Sequence, residues 1–132
     1  MPEISIRVRF HELDPYGHLN HAVYLSYFEQ ARVDLLDHIG FGLSTLVSMG
    51  YQLVVVEAHV KFVAPVEASD TVTIVSSIGD VRPASSRWLQ RMSCGDTLVA
   101  TNDVRAAITD LTGRPTRAPA ELTATLQQLR AT

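Results

Sequence analysis

The spacing of apolar residues changes along the chain, and each change marks a predicted element. From position 4 to position 10, isoleucine, valine and phenylalanine occupy every second place, with charged or hydroxyl residues between them. This alternation predicts a strand with one face against a core. A polar loop covers residues 11–20, and from His21 the apolar residues recur at helical spacing. The chain therefore begins with a strand, a loop and a long helix.

The predicted helix has a broad apolar face that has to be buried. The apolar positions are Tyr24, Tyr27, Phe28, Ala31, Leu35 and Ile39. Glu29, Arg32 and Asp34 are expected on its more polar sides, and Gly40 is expected to end it.

Four further strands are predicted at residues 53–63, 71–78, 86–93 and 98–109. Two turn signals separate these strands, the pair Gly79-Asp80 and the triplet Cys94-Gly95-Asp96. Short connections favour an antiparallel sheet. Small helices are expected at 43–49 and 120–130. The order predicts an α+β fold in which one long helix lies across a five-stranded antiparallel sheet.

Composition narrows the class of protein. With 132 residues, the chain fits a single domain spanning 1–132. A hydrophobic content of 46% indicates a globular chain, and a net charge of −3 argues against nucleic acid as a partner. The single cysteine, Cys94, forms no internal disulfide, the N-terminus lacks a signal-peptide core, and no apolar run reaches the ~20 residues of a membrane span. We therefore expect a cytoplasmic protein without a membrane partner.

The loop before the helix concentrates acid–base groups, and Asp14 is the first catalytic candidate. An ionised aspartate can attack a carbonyl carbon or accept a proton from water. Glu12 is expected in an extended stretch, with its side chain on the same side as Asp14. The alternative for Asp14 is structural, because Asp-Pro-x-Gly is a common turn in which the aspartate bonds to the backbone.

The predicted start of the helix offers a second catalytic element. Asn20 is a plausible N-cap. Free N–H groups at a helix start stabilise negative charge, so the backbone N–H of His21, or of a neighbour, is a candidate donor to an oxyanion. The side chains of His18 and His21 can be general acids or hydrogen-bond donors. Histidines 11, 18 and 21 lack a recognised ligand spacing, and no metal is expected.

The segment RFHELDPYGHLNHAVYLSYFE, residues 9–29, resembles the first motif of hotdog-fold thioesterases, in particular the 4-hydroxybenzoyl-CoA thioesterase family. That motif has an aspartate, a glycine three residues later, and an aromatic-rich helix with a tyrosine at the position of Tyr24. Residues 57–74 resemble the family's second strand, proline-containing turn and third strand. The loop is also similar to that of plant acyl-carrier-protein thioesterases, whose Asp, His and Asn match Asp14, His18 and Asn20. Those enzymes have another Asn in place of Tyr16.

The resemblance implies a hotdog fold, in which a curved five-stranded antiparallel sheet wraps a long central helix. It also implies a homodimer with joined sheets, often paired into a homotetramer, with active sites at the subunit interface. Asp14 then matches the catalytic nucleophile or general base, and His21 matches the residue whose N–H polarises the thioester carbonyl. The substrate implied is an acyl-CoA or acyl-carrier thioester, with coenzyme A as part of the substrate and no further cofactor.

Relatives contact the nucleotide of coenzyme A near the start of the fourth strand. The matching residues here are Arg82, Ser85, Ser86 and Arg87. Arginine bonds phosphate bidentately, although both arginines could equally be ordinary surface charges.

The sequence thus predicts hydrolysis of an acyl thioester. One alternative is a hotdog hydroxyacyl-thioester dehydratase, although the chain lacks the His-Phe-Pro type of motif of those enzymes. The other is a non-catalytic protein that binds acyl thioesters.

Overall fold

The computed structural model describes residues 3–130, in which a long helix lies against one antiparallel sheet. The strands are β1 (Glu3–Arg7), β2 (Tyr51–Phe62), β3 (Thr71–Arg82), β4 (Ser85–Cys94) and β5 (Thr97–Asp110). The helices are α1 (His21–His38), α2 (Leu43–Ser48) and α3 (Ala120–Gln128), and a 3-10 turn covers Phe10–Glu12. No helix of this part of the chain is long and apolar enough to span a membrane. The predicted α+β architecture is confirmed.

The strands follow the order β1-β3-β4-β5-β2, and every neighbouring pair is antiparallel. The turn predicted at residues 94–96 joins β4 to β5, as expected. The turn predicted at Gly79-Asp80 is wrong, because both residues lie inside β3. The register shifts between Ile78 and Val81, and such a β-bulge interrupts the pairing where a strand carries turn-type residues. The chain instead turns at residues 83–84.

Helix α1 buries its apolar face against the inner face of the sheet. Its buried residues are Tyr24, Tyr27, Phe28, Ala31, Arg32, Leu35 and Leu36. Fully burying one leucine or phenylalanine contributes about 1.5–3 kcal/mol, so this face is a main source of stability. The helix stops before Gly40, whose φ of +87° is a conformation that glycine adopts readily.

Arg32 does not lie on a polar side of α1, as the sequence predicted, but is buried with 8% of its surface exposed. Its Nη1 donates to Oε1 of Gln90 on β4 at 2.9 Å. The Nε2 of Gln90 donates to the Phe28 carbonyl at 2.9 Å and to the Ser76 hydroxyl at 3.0 Å. Burial lowers the pKa of Arg32, and the nearby Glu29 charge opposes that effect. A partner on a distant strand thus makes the burial of Arg32 tolerable.

We predict that Gln90→Leu lowers the free energy of unfolding by about 3 kcal/mol. The variant keeps a similar volume but leaves the Arg32 guanidinium and the Ser76 hydroxyl without their buried partner. Urea denaturation measures the change. Gln127→Leu, at an exposed position on α3, is the control and should change stability by about 0.5 kcal/mol or less. An equal effect of the two variants would contradict a stabilising role of the Gln90 contacts.

Candidate active site

The loop between β1 and α1 is folded back on itself and anchored to the rest of the chain. Leu13 pairs with Leu19, and the Asp14 N–H donates to the His18 carbonyl at 2.7 Å. The Leu19 N–H donates to the Val66 carbonyl at 2.7 Å. Gly17 closes the turn with a φ of +79°, a conformation that other residues rarely adopt. The loop that precedes α1 therefore holds Asp14 in a defined position.

Both interpretations of Asp14 find support in the contacts of its carboxylate. Its Oδ1 accepts the N–H groups of Tyr16 at 2.8 Å and His18 at 3.1 Å, as the turn interpretation predicts. Within residues 3–130, Oδ2 receives no hydrogen bond from the protein. One oxygen thus orients the carboxylate, and the other is available to react.

The start of α1 carries an N–H group without an acceptor. Asn20 caps the helix, since its Oδ1 accepts from the Ala22 N–H at 3.0 Å. The Val23 N–H donates to the Asn20 carbonyl at 2.9 Å. In the described part of the chain, the His21 N–H has no hydrogen-bond acceptor. Together with the helix dipole, this N–H can stabilise a negative charge.

The two histidine side chains of the loop differ in exposure. His18 is half-buried and its backbone pairs with Glu67, whereas His21 is exposed at the first position of α1. No three metal-ligating side chains come together among residues 3–130. The contact of His18 with the Asp14 carboxylate is through its backbone N–H.

Tyr24 forms an aromatic wall beside the loop. It is buried, with 3% of its surface exposed, and its ring meets that of Phe62 on β2 edge-to-face at 5.0 Å between centroids. Burial and the Asp14 charge raise the pKa of Tyr24, so its hydroxyl is neutral at physiological pH. Tyr24 is thus close enough to Asp14 for the carboxylate charge to act on its hydroxyl.

Glu12 is not in an extended stretch, as the sequence predicted, but ends the 3-10 turn Phe10–Glu12. Its Oε1 accepts the Tyr27 hydroxyl at 2.5 Å and the Arg9 N–H at 2.9 Å. Glu12 therefore turns toward α1. The sequence contained one signal for this contact, since a buried tyrosine hydroxyl usually has a hydrogen-bond partner.

The structure does not bring the four predicted nucleotide contacts together with the Asp14 loop. Ser86 is buried and its hydroxyl accepts the Trp88 indole N–H at 3.0 Å. Arg82 and Arg87 instead line a charged groove of about 1160 Å³ on β2–β5. Ser85 accepts from Arg105 at 3.0 Å.

Each predicted arginine in this groove already has a carboxylate partner. Arg87 Nε donates to Asp103 at 2.8 Å, and Arg82 Nε lies 3.1 Å from Asp80. Hydrogen bonds from Arg105 and Arg87 lower the pKa of Asp80 and of Asp103, respectively. These carboxylates are therefore charged at neutral pH and compete with any phosphate for the arginines.

We predict that Asn20→Ala lowers the free energy of unfolding by about 1 kcal/mol, because the Ala22 N–H loses its cap. Asn20→Asp keeps an acceptor oxygen at the cap and should retain most of the wild-type stability. Thermal unfolding followed by circular dichroism compares the three proteins. Equal loss in both variants would show that the cap contact does not stabilise α1.

Comparison with known proteins connects this geometry to a family. Residues 8–126 match the model of the Thioesterase-like superfamily. The chain is 28% identical to the acyl-CoA thioester hydrolase YbgC of Escherichia coli, over 93% of both chains. It is also 28% identical to the acyl-acyl carrier protein thioesterase ATL2 of Arabidopsis thaliana, over 91% of this chain but 65% of the plant protein. The chain thus spans less than two thirds of the plant relatives it matches.

A solved structure agrees. The crystal structure of a probable thioesterase from Bartonella henselae superposes with a TM-score of 0.86 at 28% identity, over 89% of this chain and 98% of that one. The predicted hotdog fold and the resemblance to thioesterases are confirmed, and the chain belongs to the Thioesterase-like superfamily.

Proposed function

We propose that this protein hydrolyses an acyl thioester to a carboxylic acid and a thiol. The observation that carries the proposal is the Asp14 carboxylate in the loop that precedes α1. Two backbone N–H groups hold its Oδ1, and within residues 3–130 neither its Oδ2 nor the His21 N–H at the helix start has a hydrogen-bond partner. The printed names of the relatives, acyl-CoA thioester hydrolase and acyl-acyl carrier protein thioesterase, support it.

Two routes lead from this geometry to the same products. In the first, Asp14 Oδ2 attacks the thioester carbon, the thiolate leaves, and water hydrolyses the mixed anhydride. In the second, Oδ2 takes a proton from a water molecule whose oxygen attacks the carbon. Both develop negative charge on the carbonyl oxygen, and the His21 N–H is the proposed donor to it. Water is the only co-reactant, so no cofactor is needed.

The other loop residues have supporting roles in this proposal. The Asn20 carboxamide caps α1 and thereby fixes the start of the helix. The half-buried His18 orients water or substrate beside Asp14. Tyr24 and Phe62 line the space for the acyl group near the thioester. Burial of Tyr24 keeps this side of the site dry.

Arg82 and Arg87 are proposed contacts for the phosphates of coenzyme A or of a carrier's phosphopantetheine arm, with Ser85 beside them. A phosphate would replace or share the contacts that Asp80 and Asp103 now make. Ser86, with its hydroxyl turned toward Trp88, would shape the hairpin rather than reach a ligand. A cytoplasmic location stays a prediction.

We predict that Asp14→Asn lowers kcat for thioester hydrolysis by about 10³-fold or more with a small change in KM, because the reactive carboxylate is lost. The variant keeps Oδ1 as an acceptor, so the Tyr16 and His18 contacts of the loop remain. Release of free thiol from a panel of aliphatic and aromatic acyl-CoAs measures the rate.

The matched control for that experiment is Asp110→Asn. Asp110 also orders a turn, accepting from the Thr112 N–H at 2.8 Å and the Arg114 N–H at 3.0 Å, but it lies at the end of β5. Its variant should hydrolyse at the wild-type rate. Equal turnover by Asp14→Asn would remove Asp14 from the mechanism, and formation of an enoyl thioester without thiol would indicate a dehydratase.

We also propose that two copies join along β2, which is an edge strand with exposed apolar side chains. Val54, Val55 and Val56 of β2, and Val63 directly after it, are 42–56% exposed. An edge of this kind offers both unpaired backbone groups and an apolar surface to a second copy. The partner would also cover the Phe62 ring, which is 54% exposed beside Tyr24.

We predict a native mass of two or four chains by light scattering, and a shift toward the single-chain mass in Val56→Lys. A lysine at this exposed bulge position places a charge in the proposed interface. Val47→Lys, at a valine of α2 that is 48% exposed, is the control and should leave the mass unchanged. A single-chain mass for the wild type would contradict the proposed pairing.

A further inference from the structure

We propose that Glu12 is a positioning residue, which through Tyr27 holds the loop of Asp14 at a fixed place relative to the start of α1. The inference rests on the proposed hydrolysis, because it concerns the alignment of the two groups that act on the thioester. Neither Glu12 nor Tyr27 is assigned to the reacting atoms.

The side chain of Glu12 connects the loop to the body of the helix. The Tyr27 hydroxyl donates to Glu12 Oε1 at 2.5 Å, and only 4% of the Tyr27 surface is exposed. The same oxygen accepts the Arg9 N–H at 2.9 Å, and Arg9 lies two residues after the end of β1. Helix α1, the segment after β1 and the loop thus meet at one carboxylate oxygen.

The backbone of Glu12 makes a second connection, to the N-cap. Its carbonyl accepts the Asn20 N–H at 2.9 Å. Asp14 follows Glu12 by two residues, and His21 follows Asn20 directly. Asp14 is therefore two residues from Glu12, and His21 is one residue from the Asn20 N–H that donates to Glu12. A shift of Glu12 would change the distance between the Asp14 carboxylate and the His21 N–H.

The charge state of the pair suits an anchor and not a second base. Burial disfavours the Glu12 charge, but hydrogen bonds from Tyr27 and Arg9 outweigh it and lower the pKa of Glu12. Burial and the bond to Glu12 raise the pKa of Tyr27 well above its ordinary value. An ionised acceptor thus faces a neutral hydroxyl at neutral pH, and such charge-assisted hydrogen bonds are among the stronger ones in proteins.

Tyr27→Phe and Glu12→Ala test the proposal, because each removes this bond without touching Asp14 or His21. We expect kcat to fall about 10- to 100-fold, with KM within about threefold, since small misplacements of reacting groups have effects of that size. Glu12→Gln retains Oε1 as an acceptor and should recover most of the rate. Recovery would distinguish alignment by the hydrogen bond from a need for the charge.

The matched control is Gln30→Ala on the same helix. Gln30 donates to Asp34 at 2.8 Å on the exposed surface of α1, so its variant loses one hydrogen bond far from the loop. Its kcat should equal that of the wild type. Wild-type kcat in Tyr27→Phe, or an equal loss in Gln30→Ala, would overturn the proposal.

Hydrogen exchange provides a readout that does not depend on activity. The amides of Tyr16, His18 and Asn20 are bonded within the loop or to Glu12. They should exchange at least about tenfold faster in Tyr27→Phe than in the wild type or in Gln30→Ala. If the wild type released no thiol from any thioester, the proposed function would fail. Unchanged exchange in Tyr27→Phe would overturn the proposed anchoring by itself.

Discussion

The fold depends on the fit between α1 and the inner face of the sheet, and one polar contact fixes how the two align. Apolar burial alone tolerates sliding of a helix along a sheet, because it has no directional preference. Arg32 and the Phe28 carbonyl both bond to Gln90, which permits far fewer positions. Each unmade bond would leave a buried polar group unsatisfied. These contacts near the middle of α1 therefore set the position of the helix along the sheet. The location of the first turn of α1 follows from that position.

The alignment of α1 on the sheet also fixes the position of the helix start relative to the loop before it. Asn20 caps the helix, and the loop contacts residues 66–67. The start of α1 is thus held from two sides, by the sheet below and by the loop beside it. An N–H group can stabilise a transition-state charge effectively only if it does not move during the reaction. A rigidly placed helix start meets this condition without any dedicated side chain.

Local patterns predicted much of the structure, whereas contacts between distant residues escaped them. The helical spacing of α1 and the Asn20 cap depend on neighbours in sequence, and they are confirmed. The strand predicted from the alternation of residues 4–10 is confirmed as far as Arg7, whereas Phe10 lies in the 3-10 turn and is 90% exposed. Helical spacing predicts a polar side for Arg32, and the prediction is wrong because the partner of Arg32, Gln90, lies 58 residues away. The prediction of an extended conformation for Glu12 is wrong, and its hydrogen bond to Tyr27 spans 15 residues. The bulge in β3 depends on pairing with β4, which no local pattern records.

The two interpretations of Asp14 that the sequence left open are compatible, because a carboxylate has two oxygens. An aspartate that only shapes a turn needs one of them, and here Oδ1 makes both turn contacts. Those contacts restrict rotation of the side chain, so they also determine where Oδ2 points. A reacting group held in this way loses little conformational freedom when substrate binds, which is one source of rate enhancement. The turn contacts of an Asp-Pro-x-Gly segment thus orient the carboxylate before any substrate is bound.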